Sequence, residues 1–377
     1  MSWESWLTER LDEREKASLL RSTKVHDPTI LDFSSNDYLG LSRHPLVVQA
    51  LIDASSEGAG PRASPLVTGY TAAHASLESR IASLKGHENA LLLSSGFSAN
   101  LGVLSAFRNT PDLAVFSDEL NHASIIDGLR LLKGRAAIHI YPHADVETLE
   151  RLLAKSDAAL KLVVTDGVFS MDGDLAPLPE IRALADSHGA LLIVDDAHGT
   201  LVFGEKGGGV EEHFGVKADI SIGTLSKAVG LLGGFAATSE KWRTLLLNEG
   251  RSYVYSTALP IPLVHASEVA IGLSDLTKLR ARLWGNIERL KAARPELVVG
   301  GPIVPLILGD AQSALDAANR LRADGIGVVA IRPPTVPPGT ARLRIALSAT
   351  HSHADVQRLI ESLPKPTPLQ YPHGSTR

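Results

Sequence analysis

Seven short apolar runs, near residues 90–93, 113–116, 136–140, 162–165, 191–194, 220–222 and 234–238, alternate with longer stretches of helical period. Strands that alternate with helices pair in parallel, because the chain must cross over between them, and the helices then cover both faces of the sheet. The expected fold class is therefore α/β, a mainly parallel sheet sandwiched by helices over about residues 44–250. A helical stretch near 261–293 leads into a smaller α+β portion, 251–364, with strands near 304–308, 327–331 and 341–347 and helices near 311–324 and 353–362. Residues 1–43 read as an N-terminal helical segment, and the proline-rich, polar tail 365–377 as disordered.

Composition narrows the function classes. A chain of 377 residues with 44% apolar content can bury a sheet of this size. Its net charge of -5, with the signs interspersed, gives no electrostatic reason for a nucleic-acid partner. There is no cysteine, so disulfides, thiolate metal sites and cysteine nucleophiles are excluded. Met1 to Leu7 has no basic stretch followed by an apolar one, and no run approaches the roughly 20 apolar residues that span a bilayer. A cytoplasmic protein with no membrane partner is expected. Trp3, Trp6, Leu7 and Leu11 recur at helical spacing, which predicts an amphipathic helix docked on the body of the protein or on a second subunit.

The chemistry gathers where strand runs stop. Ile220 and Ile222 lead into Gly223-Thr224-Leu225-Ser226-Lys227-Ala228, a lysine among small residues. Desolvation lowers the pKa of such an amine and prepares it to form an imine. The run 191–194 ends in Asp195-Asp196-Ala197-His198. A carboxylate at the carboxyl end of a parallel strand faces a ligand crevice. Lysine and aspartate at neighbouring strand ends are what pyridoxal phosphate requires: the amine carries the cofactor, and the carboxylate keeps its ring nitrogen protonated. Asp196 reads as structural.

Other strand ends supply candidate partners. Leu93-Ser94-Ser95-Gly96-Phe97 reads as strand, turn and helix start, where backbone amides can hold a phosphate. Thr224 and Ser226 offer hydroxyls to the same group. His122 follows another strand run and can stack on the pyridine ring, although in isolation it would read as a helix cap. Ser170 and His198 can reach the cofactor's phenolic oxygen. Arg342 and Arg344 alternate onto one strand face and can hold a carboxylate bidentately; a solvent-facing edge strand competes with that reading for Arg342. The glycine-rich loop 204–209 reads as flexible. Gly325-Ile326-Gly327 matches a loose dinucleotide fingerprint but follows a helix, so it is set aside. His139, His143, His351 and His353 have no carboxylate or histidine on a common face, and solvated or capping roles are expected for them.

The stretches Asn36-Asp37-Tyr38-Leu39-Gly40-Leu41, Ser95-Gly96-Phe97, His122-Ala123-Ser124, Phe169-Ser170-Met171-Asp172-Gly173, Asp195-Asp196-Ala197-His198-Gly199 and Thr224-Leu225-Ser226-Lys227 occur here in the order found in the α-oxoamine synthases. The chain resembles that family from about Leu11 to Leu363. The resemblance implies a fold type I pyridoxal-phosphate enzyme, a homodimer, that condenses an amino acid with an acyl thioester and releases carbon dioxide. Arg332-Pro333-Pro334-Thr335-Val336-Pro337 is similar to the members that use L-alanine and a pimeloyl thioester, pimeloyl-CoA or pimeloyl-ACP; the alternatives are a relative using glycine and acetyl-CoA and, behind it, a non-catalytic partner subunit, which would be expected to have lost Lys227 or Asp195. By the same resemblance, Lys227 carries the cofactor, Asp195 pairs with its pyridinium, His122 stacks on its ring, and Ser170 and His198 meet its phenolic oxygen. Gly96, Phe97 and Thr224 would hold it further, Asn36 and Arg344 would bind the amino-acid carboxylate, and Arg21 and Thr335 would line the acyl path. Three departures from the family pattern stand out: Gly60-Pro61-Arg62-Ala63-Ser64-Pro65 replaces a glycine- and serine-rich segment, Leu201 replaces a glycine, and Ser226 stands where glycine is frequent.

Overall fold

The computed structural model describes residues 1–367 apart from 24 and 26, so most of the tail expected to be disordered lies outside the described residues. Its strands, in chain order, are β1 (Leu31–Asp32), β2 (Asn89–Leu93), β3 (Leu113–Asp118), β4 (Ala136–Tyr141), β5 (Leu160–Asp166), β6 (Ala190–Asp195), β7 (Ile220–Thr224) and β8 (Gly234–Thr238). They continue with β9 (Ile303–Gly309), β10 (Ile326–Gly327), β11 (Val329–Ile331) and β12 (Ala341–Ala346). The chain divides into two compact units. One holds Asn36–Ser170 and Asp174–Arg282; the other holds Met1–Ser35, Met171–Gly173 and the chain from Leu283 onward.

The larger unit is built on a seven-stranded sheet of order β2-β8-β7-β6-β5-β3-β4. Pairings from β4 through β7 are parallel, while β8 runs antiparallel to both β7 and β2. The central strands are apolar along nearly their whole length, as strands buried on both faces must be. Alternation sorts their side chains. Leu91, Val115, Leu162, Val164, Ile193, Ile220 and Ile222 pack on one face against Val103 and Leu104 of the helix Gly96–Ala106 and Ile125 and Leu129 of the helix Ala123–Arg130. Each fully buried Leu or Ile there contributes about 1.5–3 kcal/mol. Pattern alone puts a boundary near residue 250, but the helix Ile261–Ile271 packs on the helices Pro45–Ala54 and Ala72–Lys85 and lies within this unit.

The smaller unit carries a three-stranded antiparallel sheet, β11-β12-β9, and a parallel pair, β1 with β10. The expected strand 327–331 is thus two strands, broken at Val328. Gly325-Ile326-Gly327 ends in β10 rather than in a dinucleotide turn, as its sequence context implied. β12 is central, so the edge-strand reading of Arg342 fails: Arg342 and Arg344 are 4% and 7% exposed. Arg342 pairs with Asp172 and donates to the carbonyl of Met171. The helix Trp3–Lys16 buries none of its residues, so in the described chain its apolar stripe docks on no body.

Candidate active site

Three parallel strands, β5, β6 and β7, end side by side on Asp166, Asp195 and Thr224. Asp166 and Asp195 are direct register partners, and both share the parity of Val164 and Ile193, so their side chains leave the sheet on the face covered by the helix Gly96–Ala106. That helix answers with Asn100, one turn beyond Gly96. Its Nδ2 donates to Asp195 Oδ2 at 2.6 Å and to Ser124 Oγ at 2.9 Å. The backbone N–H of Ala197 donates to Asp195 Oδ1 at 2.9 Å. Asp195 is 6% exposed, and its hydrogen bonds among the described residues come from two neutral donors, the Asn100 amide and the Ala197 N–H.

The Ser124 hydroxyl lies 2.6 Å from His122 Nδ1, which also accepts the Ser124 N–H, so Asn100 links Asp195 to His122 through a single serine. His122 caps the helix Ala123–Arg130, the role its position alone would give it, and its ring lies edge-on to Phe97 at 6.4 Å. Burial lowers the imidazole pKa; the carboxylate of Asp195 opposes this and the charge of Lys227 adds to it. Burial, reinforced by the charge of Asp195, pushes Asp166 well above the usual carboxylate range, against the opposing pull of Lys227. Asp166 Oδ2 accepts the backbone N–H of His122 at 3.2 Å. Lys227 lies past the end of β7, half-buried, in the turn before β8.

A cradle forms where β7 meets the start of the helix Gly96–Ala106. Ser95 caps that helix, accepting the N–H of Ser98. A Cβ on Gly96 would come within 3.1 Å of Thr224 Cβ, so glycine is what lets β7 approach the helix amides. Thr224 Oγ1 accepts the Ser226 N–H, lies 2.8 Å from Ser226 Oγ and donates to the Gly233 carbonyl. Free first-turn amides beside two hydroxyls make an anion site. Nearby, Asn100 Oδ1 and Asp166 Oδ1 are buried with no hydrogen-bond partner among the described residues. A phosphate at the cradle and a heterocycle carrying an N–H toward Asp195 fit these residues.

On the other side of Asp195 the chain turns through His198, whose Nδ1 lies 2.7 Å from the Tyr38 hydroxyl. Tyr38 donates in turn to Asn36 Oδ1 at 3.1 Å, so Asn36 and His198 share one network. Ser170 begins the tip of a hairpin closed by Phe169 and Asp174. In the smaller unit, Arg21 donates to Thr335 Oγ1 at 2.9 Å, joining two residues 314 apart in sequence.

Several expectations need correction. His143 is neither solvated nor a cap: it sits between the carboxylates of Asp118 and Asp174. His351 is buried, accepting the Ser348 N–H at Nδ1 and meeting the Asp32 carbonyl at Nε2. The loop 204–209 is not loose, since Glu212 accepts from the amides of Lys206 and Gly208. Asn100, Ser124, Asp166 and Tyr38 escaped sequence reasoning. Asn100 had a positional signal, four residues past Gly96 and so on the same helical face, and Tyr38 and Ser124 stood in stretches that carry the resemblance.

Residues 28–363 match the family model described as aminotransferase class I and II. A curated 8-amino-7-oxononanoate synthase from Methylococcus capsulatus is 48% identical over 90% of this chain and 90% of its own length. One from Arabidopsis thaliana is 41% identical over 96% and 81%. Among solved structures, a Sphingomonas wittichii serine palmitoyltransferase superposes with a TM-score of 0.88 at 33% identity, covering 96% of this chain and 97% of that one. An 8-amino-7-oxononanoate synthase from Francisella tularensis gives 0.75 at 29% over 89% and 97%.

The fold and the polar strand ends define a fold type I pyridoxal-phosphate enzyme. The chain belongs to the class I and II aminotransferase family and, within it, is a pyridoxal-phosphate-dependent acyltransferase grouping with the 8-amino-7-oxononanoate synthases.

Proposed function

We propose that the chain condenses L-alanine with a pimeloyl thioester, carried on coenzyme A or a carrier protein, to give 8-amino-7-oxononanoate, carbon dioxide and the free thiol in biotin formation, as a cytoplasmic homodimer. The bound cofactor supplies an electron sink for a carbanion at the amino-acid Cα. Lys227 Nζ would hold the cofactor and would be the base for the amino-acid Cα proton. The carboxylate of Asp195 holds the proton on the pyridine nitrogen. Its two neutral hydrogen-bond donors among the described residues support this reading, because they orient the carboxylate without neutralising the charge that favours a pyridinium. His122, whose pKa burial lowers and whose Nδ1 accepts the Ser124 N–H, would pack against the ring and offer Nε2 to the incoming substrate. Ser170 and His198 would meet the phenolic oxygen, and Gly96, Phe97 and Thr224 would hold the phosphate. Asn36 and Arg344 bind the alanine carboxylate, with Arg21 and Thr335 toward the acyl chain.

Lys227→Ala tests the scheme: turnover and the yellow absorbance of the purified protein should both vanish, and retention of full activity refutes it. Offering alanine with pimeloyl-CoA and glycine with acetyl-CoA, then weighing the products, separates this reading from a glycine-using relative.

A further inference from the structure

We propose that His143 is a positioning residue of this enzyme, its ring tying together the segment that leads to His122 and the hairpin that presents Ser170. The inference rests on the proposed roles of those two residues at the cofactor. His143 follows β4 by two residues. Its Nδ1 lies 3.2 Å from Asp118 Oδ1 and its Nε2 lies 2.8 Å from Asp174 Oδ2. The imidazole is 15% exposed, Asp118 2% and Asp174 14%. Its ring meets Phe169 edge-on at 4.3 Å.

Each partner belongs to a different piece of the site. Asp118 ends β3 and also accepts the N–H groups of Leu120 and Ala144, both at 2.8 Å. Glu119 donates its N–H to the Tyr141 carbonyl and accepts the His143 N–H at Oε1, each at 3.0 Å. The chain from Asp118 to His122 is therefore fastened to the turn that carries His143, and His122 starts its helix from that anchorage. On the other side, Asp174 closes the hairpin: its carbonyl accepts the Phe169 N–H at 3.0 Å, and Val168 bridges Leu175. Ser170 is the next residue out.

A ring with a carboxylate at each nitrogen must donate from both, which only the imidazolium can do. Burial works against that cation, but the hydrogen bonds and charges of Asp118 and Asp174 outweigh it and hold the pKa up at about 10. The group is thus a fixed cation cross-linking two anionic segments, and it reaches the cofactor only through the residues those segments carry.

The test uses the holoenzyme. With 15N-labelled histidine, both ring nitrogens of His143 should report as protonated at pH 8, assigned by the signal missing from His143→Gln; a neutral ring overturns the proposal. Folded His143→Gln should release the cofactor on dilution at least tenfold faster than wild type and alter the visible circular dichroism of the bound chromophore, while His143→Arg, which restores a cation, should recover part of both. Release and dichroism at wild-type values in His143→Gln also overturn it. If the variants fail to fold, the wild-type nitrogen spectrum, assigned by Asp174→Asn instead, decides. These readouts need neither substrate, so a failure of the alanine and pimeloyl reading would leave them unmoved.

Discussion

Asp195 and Asp196 are consecutive, both buried, and opposite in what surrounds them. Asp195, the last residue of β6, faces the helix Gly96–Ala106 and is bonded by an amide and a backbone N–H. Asp196 turns to the other side, where Lys85 Nζ lies 2.5 Å from its Oδ2 and both side chains are completely buried. Lys85 also donates to the Gly208 carbonyl and sits 3.4 Å from Glu211, whose other oxygen faces His87 at 3.2 Å. One carboxylate is braced with neutral groups and its charge stays available to a ligand; the next has its charge spent within the protein. The second arrangement anchors the turn after β6 from behind, so the first can be left electrostatically unfilled.

The largest break in that contrast is Asp195→Asn. It keeps the shape and one hydrogen-bonding oxygen but removes the charge that would favour a pyridinium. Turnover should fall about 10^2- to 10^4-fold, the span that a positioned proton-holding group contributes, while the urea midpoint barely moves. Lys85→Met should do the reverse. It strands Asp196 and Glu211 without their cation, and removing one partner of a buried pair costs about 3–5 kcal/mol. Activity per folded molecule should survive. Loss of cofactor binding at an unchanged unfolding midpoint would show that the two sides are not separate.

Acid sharpens the same contrast. Burial raises the Glu211 carboxyl, but the charge of Lys85 and the hydrogen bond and charge of His87 outweigh it and hold the pKa down at about 2, against an ordinary 4.5. A depressed carboxyl contributes stability that is fully present above pH 4.5 and is lost as pH falls toward 2. The stability gap between wild type and Glu211→Gln, read from urea melts, should therefore narrow across that window by up to about 3 kcal/mol. A gap that stays constant with pH contradicts the ion-pair account.

How much of this was legible in the sequence follows from how far each interaction reaches. The strand-end positions of Lys227 and Asp195 could be read because an apolar strand that stops at a charged or polar residue is a local pattern. So could the alternation of strands and helices, although β3, β5 and β6 run on to Asp118, Asp166 and Asp195, polar ends that apolar counting leaves off. The partners that the braces find were not legible. Asn100 meets Asp195 across 95 residues, Lys85 meets Asp196 across 111, and His143 finds its carboxylates 25 and 31 residues away. Only the fold brings those groups together. Leu201 and Arg62 show the opposite failure. Both adopt a positive φ, 63° and 62°, a conformation that favours glycine, so the residue type at these positions gave no sign of the backbone there.

The smallest effect is expected where the two arrangements meet, at Thr200. Its hydroxyl donates to the Asp196 carbonyl at 3.0 Å and lies 3.4 Å from Asp196 Oδ2. Thr200→Val keeps the shape and removes the donor. The carbonyl still accepts from the amides of Gly199 and Thr200, both at 3.1 Å, and Oδ2 still holds Lys85, so neither acceptor is orphaned. The loss should then be that of one ordinary hydrogen bond, about 1 kcal/mol, with turnover unchanged because nothing on the Asp195 side has moved. A drop in turnover at this position, with stability intact, would mean that the orientation of Asp195 depends on the back of the turn and not only on Asn100 and the Ala197 amide.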